Sequence, residues 1–382
     1  MKTLHVIPSI DPKGGGPIEG LTNITRELKS QGHSPEILSL DMPDVPWVKN
    51  FSIPVHTLGP SYTGYLYCPK LVPWLKKHAH EYDAIIVNGI WQYPSFGVWH
   101  ALKDSSTPYF NFTNGMLDPW FRYEYPLKHL KKWLYWPWGQ YPVLRDAKGV
   151  FFTCEEEKIL ARESFWLYKC NEIVVSYGAA RPPANGPELK ATFLTKFPEL
   201  KSKKIALFLS RIHEKKGCDV LIEAFAKVAY QDSNLHLVIA GPDQVGLKPI
   251  LEQQIASFGI ENKVTWTGML QGDLKWGAFY VSDVFVLPSH QENFGIVVAE
   301  SLACGKPVLI SNKVNIWREI EKDSAGFVAP DTVEGTVQNF DRWLKLDKVS
   351  YEKLCENAKS SYEARFTIKK VVENLLKTIQ EA

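Results

Sequence analysis

Two glutamates, Glu292 and Glu300, stand eight residues apart just beyond a strongly apolar run that ends at Pro288. Between them lies Asn293-Phe294-Gly295, after which Ile296–Cys304 reads as an apolar helix. Glu292 falls in the loop at the helix mouth, and Glu300 sits about 10 Å further along the axis. Amides at Asn293–Ile296 would be unpaired helix N-terminal donors, suited to a diphosphate. A carboxylate at the mouth suits sugar hydroxyls, and a deeper one suits a ribose diol. Taken alone, the pair fits a cap-region acid and a solvated surface acid better. Glu300, however, is flanked by Val297, Val298, Ala299, Leu302 and Ala303. A carboxylate in so apolar a helix needs a partner.

A second cluster is Ser210-Arg211-Ile212-His213-Glu214-Lys215-Lys216-Gly217, directly after an apolar run. An arginine fork and a lysine point charge at a strand end make a diphosphate clamp. A basic surface turn closed by Gly217 explains the same residues equally well. Near the N-terminus, Gly14-Gly15-Gly16 follows the first apolar run and Pro17 opens a helix. Consecutive glycines let backbone approach a ligand, although a flexible turn needs no ligand. A dinucleotide fingerprint would require glycine at position 19, where Glu19 stands, so nicotinamide chemistry is disfavoured.

The elements that must position these residues alternate in a βα rhythm. Strand-like runs are Leu4–Ile10, Pro35–Leu40, Ala84–Ile90, Val150–Cys154 and Glu172–Ser176. After a break they resume at Ile205–Ser210, Leu235–Ala240, Val264–Thr267, Val284–Pro288, Pro307–Ser311 and Gly326–Val328. Helical patterns include Pro17–Gln31, Ser95–Lys103 and Val220–Tyr230. The rhythm implies an α/β fold of two doubly wound parallel sheets, in which ligands sit beyond the carboxyl ends of strands. The expected division is 1–178, a linker at 179–203 rich in Pro and Gly, and 204–361. The C-terminal helix is expected to return to the first domain within 362–382. Its Ile368, Val371, Val372, Leu375, Leu376 and Ile379 make one apolar face, and the second half has enough elements without it.

Composition narrows the function classes. The 382 residues suit two domains, and 44 basic against 42 acidic residues give no field for nucleic acid. Six cysteines without CxxC pairing read as free thiols in a reducing compartment. No secretory leader and no membrane-spanning run are evident, so a cytoplasmic enzyme is expected. The absence of a D-x-D motif argues against a metal-held diphosphate, so no metal and no cofactor are expected.

E-N-F-G-I-V-V-A-E at 292–300 resembles the E-x7-E element of family-4 retaining glycosyltransferases of the GT-B fold. S-R-I-H-E-K-K-G, at 210–217, is similar to their arginine–lysine loop, and A-G-P-D at 240–243 and T-G-M-L at 267–270 resemble segments near the nucleotide. The resemblance covers nearly all of the second half and reaches the first half through Gly14–Gly16 and N-G-M-L-D-P-W at 114–120. Bacterial members that build surface polysaccharides often carry H-G-M-L-D-P-W there. It implies two Rossmann-like domains facing across a cleft, and transfer of a hexose, glucose by family frequency, from a UDP-sugar with retention. Arg211 and Lys216 would neutralise the diphosphate, and Glu292 would hold sugar hydroxyls with Asn293, Phe294, Gly295 and Ile296 around it. Glu300 would take the ribose, and Gly241 and the backbone at Gly268, Met269 and Leu270 would lie at the nucleotide. Gly15 and Gly16 would approach the phosphates. Asn114 replaces the family's usual histidine near the anomeric centre; it offers hydrogen bonds but no cation. Other readings are a silent nucleotide-sugar-binding protein, or an epimerase or phosphorylase on the same architecture; the phosphorylase lacks an evident pyridoxal-type lysine pocket.

The segment Pro126–Arg145 sets Lys128, Lys131 and Lys132 beside Trp133, Tyr135, Trp136 and Trp138. This composition suits either a membrane interface carrying a lipid-linked acceptor or a packed aromatic cluster. In the first case Lys128–Trp138 would hold the protein peripherally on the inner face of the plasma membrane. Asp118-Pro119 reads as a helix start. Partners are thus a UDP-sugar, a glycan or lipid-linked acceptor, and no nucleic acid.

Overall fold

A computed structural model describes residues 1–381. Residue 382, the end of the expected returning helix, lies outside them. The chain forms two compact units, one of Met1–Gly178 plus the stretch from Ile368 onward, the other of Ala179–Thr367.

The first unit holds seven parallel strands: β1 (Lys2–Ile7), β2 (Ser34–Ser39), β3 (Val55–Thr57), β4 (Ala84–Asn88), β5 (Tyr109–Phe112), β6 (Gly149–Phe152) and β7 (Glu172–Val174). Their order is β3-β2-β1-β4-β5-β6-β7. β4, β5 and β6 are buried along their whole length, which is why β4 and β6 read as continuous apolar runs rather than alternating ones. Three-residue β3 gave no such run, and its side chains are only half-buried at the sheet edge.

The second unit holds β8 (Lys204–Leu209), β9 (Leu235–Ala240), β10 (Val264–Gly268), β11 (Val284–Leu287), β12 (Val308–Ser311) and β13 (Gly326–Ala329). They are parallel, in the order β10-β9-β8-β11-β12-β13. Both sheets therefore wind outward in two directions from a central pair, β1/β4 in one and β8/β11 in the other.

Two boundaries differ from the sequence expectation. The stretch 179–203 is not a free linker but part of the second unit. Its helix Gly186–Lys196 lies so close to the helix Gly272–Val281 that a Cβ on Gly277 would stand 2.6 Å from the Leu189 carbonyl oxygen. Tyr280 adds a hydroxyl bond of 2.5 Å to the Pro183 carbonyl. A Pro- and Gly-rich composition signals irregular backbone, not independence from a core. Residues 362–367 also stay with the second unit, where Phe366 accepts the Ala179 amide at 2.8 Å and Tyr362 donates to the Ala179 carbonyl at 3.2 Å. The helix Ile368–Gln380 belongs to the first unit, packing beside the helix Gly16–Ser30 and burying Val371, Val372, Leu375 and Ile379.

His5, in the middle of β1, is fully buried, with Thr3 Oγ1 at 3.4 Å from its Nε2. Burial pushes its imidazole down from 6.5 to about 3. Between those values the unfolded chain holds a proton that the folded chain lacks. Stability is therefore intact above pH 6.5 and falls as the pH drops towards 3. Taking the protein from pH 7 to pH 5 should remove about 2 kcal/mol through this one group. Urea midpoints at the two pH values check this, and His5→Gln should show a shallower pH dependence whatever its stability at pH 7.

Candidate active site

In the second unit the loops after β8 and β11 leave adjacent strands and diverge to opposite faces, which makes their carboxyl ends the switch point of the sheet. The β8 loop carries Arg211 and Lys216. His213 caps its short turn, accepting from the Lys215 amide at 3.2 Å, and Gly217 ends it in the left-handed region at φ 63°. A Cβ on Gly217 would stand 2.3 Å from the Pro288 carbonyl oxygen, so the two loops touch backbone to backbone. The β11 loop is clamped from both sides. The His290 amide donates to the Lys215 carbonyl at 2.8 Å, the Glu292 amide to Lys313 at 2.9 Å, and the Asn315 amide to Glu292 at 2.9 Å.

Across this junction Lys216 is ion-paired with Glu292. Lys216 is only 7 % exposed, while Arg211 from the same loop is in solvent. Gly295, at φ 71°, caps the helix Ile296–Ala303, whose first amides have no intrahelical acceptor. Phe294 is buried, its ring packed edge-on against Phe366 at 5.9 Å. Glu300 is 1 % exposed, and its partner is Lys275, with Nζ at 2.6 Å from Oε1. Lys275 comes from the helix Gly272–Val281, and nothing in its sequence surroundings marked it. Asp331 was likewise unmarked; it meets His290 Nδ1 at 2.8 Å.

The glycines assigned to the nucleotide differ in kind. Gly241 sits at φ 146°, and a Cβ there would come within 1.7 Å of the Ser210 carbonyl oxygen. Its need for glycine is thus met by the β8 loop alone. Its amide donates to Gly268 at 2.9 Å, tying the β9 and β10 ends together. Met269 stands exposed beyond them, and Leu270 turns inward.

In the first unit the same geometry recurs at β1/β4. Gly15 (φ 74°) and Gly16 border open space on the side where a Cβ would point, at the start of the helix Gly16–Ser30. Gly14 lines a cavity of 290 Å³ together with Pro8, Asn88, Gln92, Asn114 and Met116. Asn114 adopts the left-handed conformation at φ 53°, and its Oδ1 accepts from the buried Tyr177 hydroxyl. Its amide nitrogen makes no hydrogen bond among the described residues.

What holds the Asn114 turn is Glu157, which the sequence reading missed. One carboxylate oxygen accepts from Thr113 Oγ1 and the Gly115 amide, both at 2.6 Å; the other accepts from the Thr153 amide and hydroxyl, both at 2.6 Å. Glu157 is the third of three acids opening the helix Glu155–Ala161, and only it is buried. A run of acids in a first helical turn looks like a response to the helix dipole, so no local signal sets Glu157 apart. Asp118 accepts the Trp120 amide at 2.9 Å at the start of the helix Trp120–Glu124. Among the described residues, no three His, Cys, Asp or Glu side chains converge as metal ligands, and the cysteines are free thiols.

The Lys216–Glu292 pair is largely out of water, so removing one partner strands the other. Lys216→Met should lower stability by about 1–3 kcal/mol, and adding Glu292→Gln should restore most of that loss. Urea denaturation of the single and double variants measures the coupling; strictly additive losses would show that the two charges act independently.

Comparison with known proteins gives the family. A model described as a glycosyl transferase 4-like domain matches residues 15–178, and one described as glycosyl transferases group 1 matches residues 191–361. An uncharacterized glycosyltransferase of Methanocaldococcus jannaschii is 31% identical over 183 residues, 47% of this chain and 46% of its own length. The alpha-D-kanosaminyltransferase of Streptomyces kanamyceticus is 27% identical over 169 residues, 44% of this chain and 43% of its own. The matched stretch spans less than half the length of these curated relatives. Among solved structures, Anabaena HepE in complex with UDP and glucose superposes with a TM-score of 0.78 at 20% identity, covering 100% of both chains. With two Rossmann-like parallel sheets and one family domain matched to each, the chain belongs to the GT-B glycosyltransferases of the family-4 type.

Proposed function

We propose that the chain transfers a hexose, glucose, from a UDP-sugar to a glycan or lipid-linked acceptor in polysaccharide biosynthesis, with retention and without a metal ion. The observation that carries this reading is the gathering of Arg211, Lys216, Glu292 and the mouth of the helix Ile296–Ala303 at the switch point of the second sheet. The donor class is supported by Anabaena HepE, which shares the fold and has been solved with UDP and with UDP-glucose. Arg211 and Lys216 then neutralise the diphosphate, with Asn293–Ile296 around it. Glu292 takes sugar hydroxyls and Glu300 the ribose, while Gly241 and Gly268–Leu270 lie at the nucleotide. Gly15 and Gly16 approach the phosphates.

Retention follows from substitution on one face. The bond from the anomeric carbon to the diphosphate breaks, and the acceptor oxygen bonds the same carbon from the same side. The acceptor's proton passes to a departing diphosphate oxygen, whose charge Arg211 and Lys216 stabilise. Asn114 contributes a neutral hydrogen bond to the sugar from its amide nitrogen, its oxygen being held by Tyr177.

The protein works in the cytoplasm, held peripherally at the inner face of the plasma membrane through Lys128–Trp138. In support, Leu127, Leu130, Trp133, Leu134 and Trp138 are exposed beside Lys128 and Lys131. Trp136 of the same segment is wholly buried, stacked on Phe165 at 4.2 Å, so the packed-cluster reading holds for that residue. Among the described residues no helix is long and apolar enough to cross a membrane.

Arg211→Ala should weaken UDP binding by about 1.5–3 kcal/mol, the worth of a charge-assisted hydrogen bond. Calorimetric titration with UDP measures it, and unchanged affinity removes Arg211 from the diphosphate site. Turnover of UDP-glucose should persist in EDTA. A loss restored only by added metal would overturn the metal-free mechanism, and UDP binding without any UDP release would favour a silent binding protein. Asn114→Ala should lower the transfer rate while leaving UDP affinity nearly intact. Parallel losses in both, tracking a fall in Tm, would make Asn114 a turn residue only.

A further inference from the structure

The segment Ile90–Phe96, just beyond β4, separates two cavities. Ile90, Gln92, Pro94 and Ser95 line the cavity beside Asn114, whereas Trp91, Tyr93 and Phe96 wall a larger groove of 680 Å³. Its remaining walls come from Tyr65 and Tyr67 and from the turn of helix that carries Tyr135 and Trp138. The rings brace one another. The Tyr65 and Tyr135 hydroxyls lie 2.6 Å apart, Tyr93 packs edge-on against Tyr65 and Tyr67, and Tyr135 against Trp138. Trp91 is held in the left-handed region at φ 74°, its amide bonded to Gln140 Oε1 at 2.8 Å and its indole N–H to the Met116 carbonyl at 3.1 Å. A non-glycine residue persists there only where its surroundings overdetermine it.

The charged residues lining the groove are Lys131 and Lys132. Lys132 is half-buried, and its ammonium faces the rings of Trp91 at 4.6 Å and Phe121 at 5.2 Å instead of a carboxylate. Burial, with Lys128 nearby, pushes its pKa down to about 8. A cation so placed gains from an incoming anion. A bare phosphate would leave the aromatic walls uncovered, and a neutral sugar would leave the lysines without a counter-charge. The volume falls in the range of small-molecule sites.

We propose that this groove binds the acceptor as a long-chain lipid phosphate, the chain lying on the rings and the phosphate meeting Lys132 and Lys131. The assignment rests on the reading of the chain as a sugar transferase with a lipid-linked acceptor. It places the lipid's head beside the wall that also borders the Asn114 cavity.

Titration calorimetry with farnesyl phosphate, farnesol and inorganic phosphate tests it, on the wild type, Lys132→Met and Trp138→Ala. Trp138 is exposed, so its removal leaves the fold intact. Farnesyl phosphate should bind saturably, at least about tenfold (about 1.4 kcal/mol) more tightly than farnesol, and Lys132→Met should weaken it by about the same factor. Trp138→Ala should weaken farnesyl phosphate and farnesol alike. The proposal is overturned if farnesyl phosphate fails to saturate, if farnesol or inorganic phosphate binds as tightly, or if both variants bind like the wild type. Should Lys132→Met not fold, Trp138→Ala and the three-ligand comparison decide it. UDP titration of the same samples separates the two readings: UDP binding without farnesyl phosphate binding ends the acceptor assignment alone, and loss of both ends the transferase reading as well.

Discussion

A parallel sheet wound in both directions from a central pair of strands leaves a crevice beyond their carboxyl ends, because the two loops there must depart to opposite faces. Arg211, Lys216 and Glu292, on the loops after β8 and β11, depend on that constraint. In the second unit the crevice lies between β8 and β11, and the loops meet so closely that only a glycine fits at 217. Backbone packed this tightly fixes where Lys216 and Glu292 emerge, and their opposite charges join across the gap. In the first unit the crevice lies between β1 and β4, with the glycine loop on one side and Asn114 on the other.

Buried carboxylates organise the loops that these crevices create. Glu157 accepts hydrogen bonds from two hydroxyls and two amides, and so fixes the turn that presents Asn114. Glu300 has the Lys275 ammonium, and the half-buried Glu292 has that of Lys216. A buried ion pair adds little net stability, yet either partner alone is costly, so such pairs act as position locks more than as glue. The two pairs also hold the Lys216 and Lys275 ammonium groups in place. Asp243 illustrates the exposed counterpart. Its carboxyl is held below the ordinary range by backbone amides, beginning with that of Lys248, and it sets the start of the helix Lys248–Ser257.

The aromatic segment Pro126–Arg145 shows how one composition serves two environments. Trp136 fills the core, stacked on Phe165, while Trp133 and Trp138, three and two residues away, stand in solvent or on a groove wall. The backbone widens into a π-helical turn over Trp136–Gln140, which rotates successive rings to different sides. That turn also delivers Gln140, whose side-chain oxygen holds Trp91 in its unfavourable backbone region.

Most strands of both sheets were legible as apolar runs, because those in the sheet centres are buried on both faces and must be apolar throughout, and that is a local property. The residues at strand ends, Arg211, Lys216, Glu292 and Asn114, were legible for a related reason: polar types directly after such runs fall at the carboxyl edge by topology. Glu300 was visible as an anomaly, a charge in an apolar helix, but its partner Lys275 was not, since a helix on the far side of a loop leaves no trace in local spacing. Glu157 and Tyr177 were silent for the same reason, as their burial comes from the sheet behind them. Composition alone suggested a linker at 179–203, and only packing against the helix Gly272–Val281 assigns it to a core. Periodicity and residue type determine which elements form and which face they bury. Which charges meet, and which aromatic side chain of a mixed stretch faces water, is decided by contacts between residues far apart in the chain, and those exist only once the sheets are assembled.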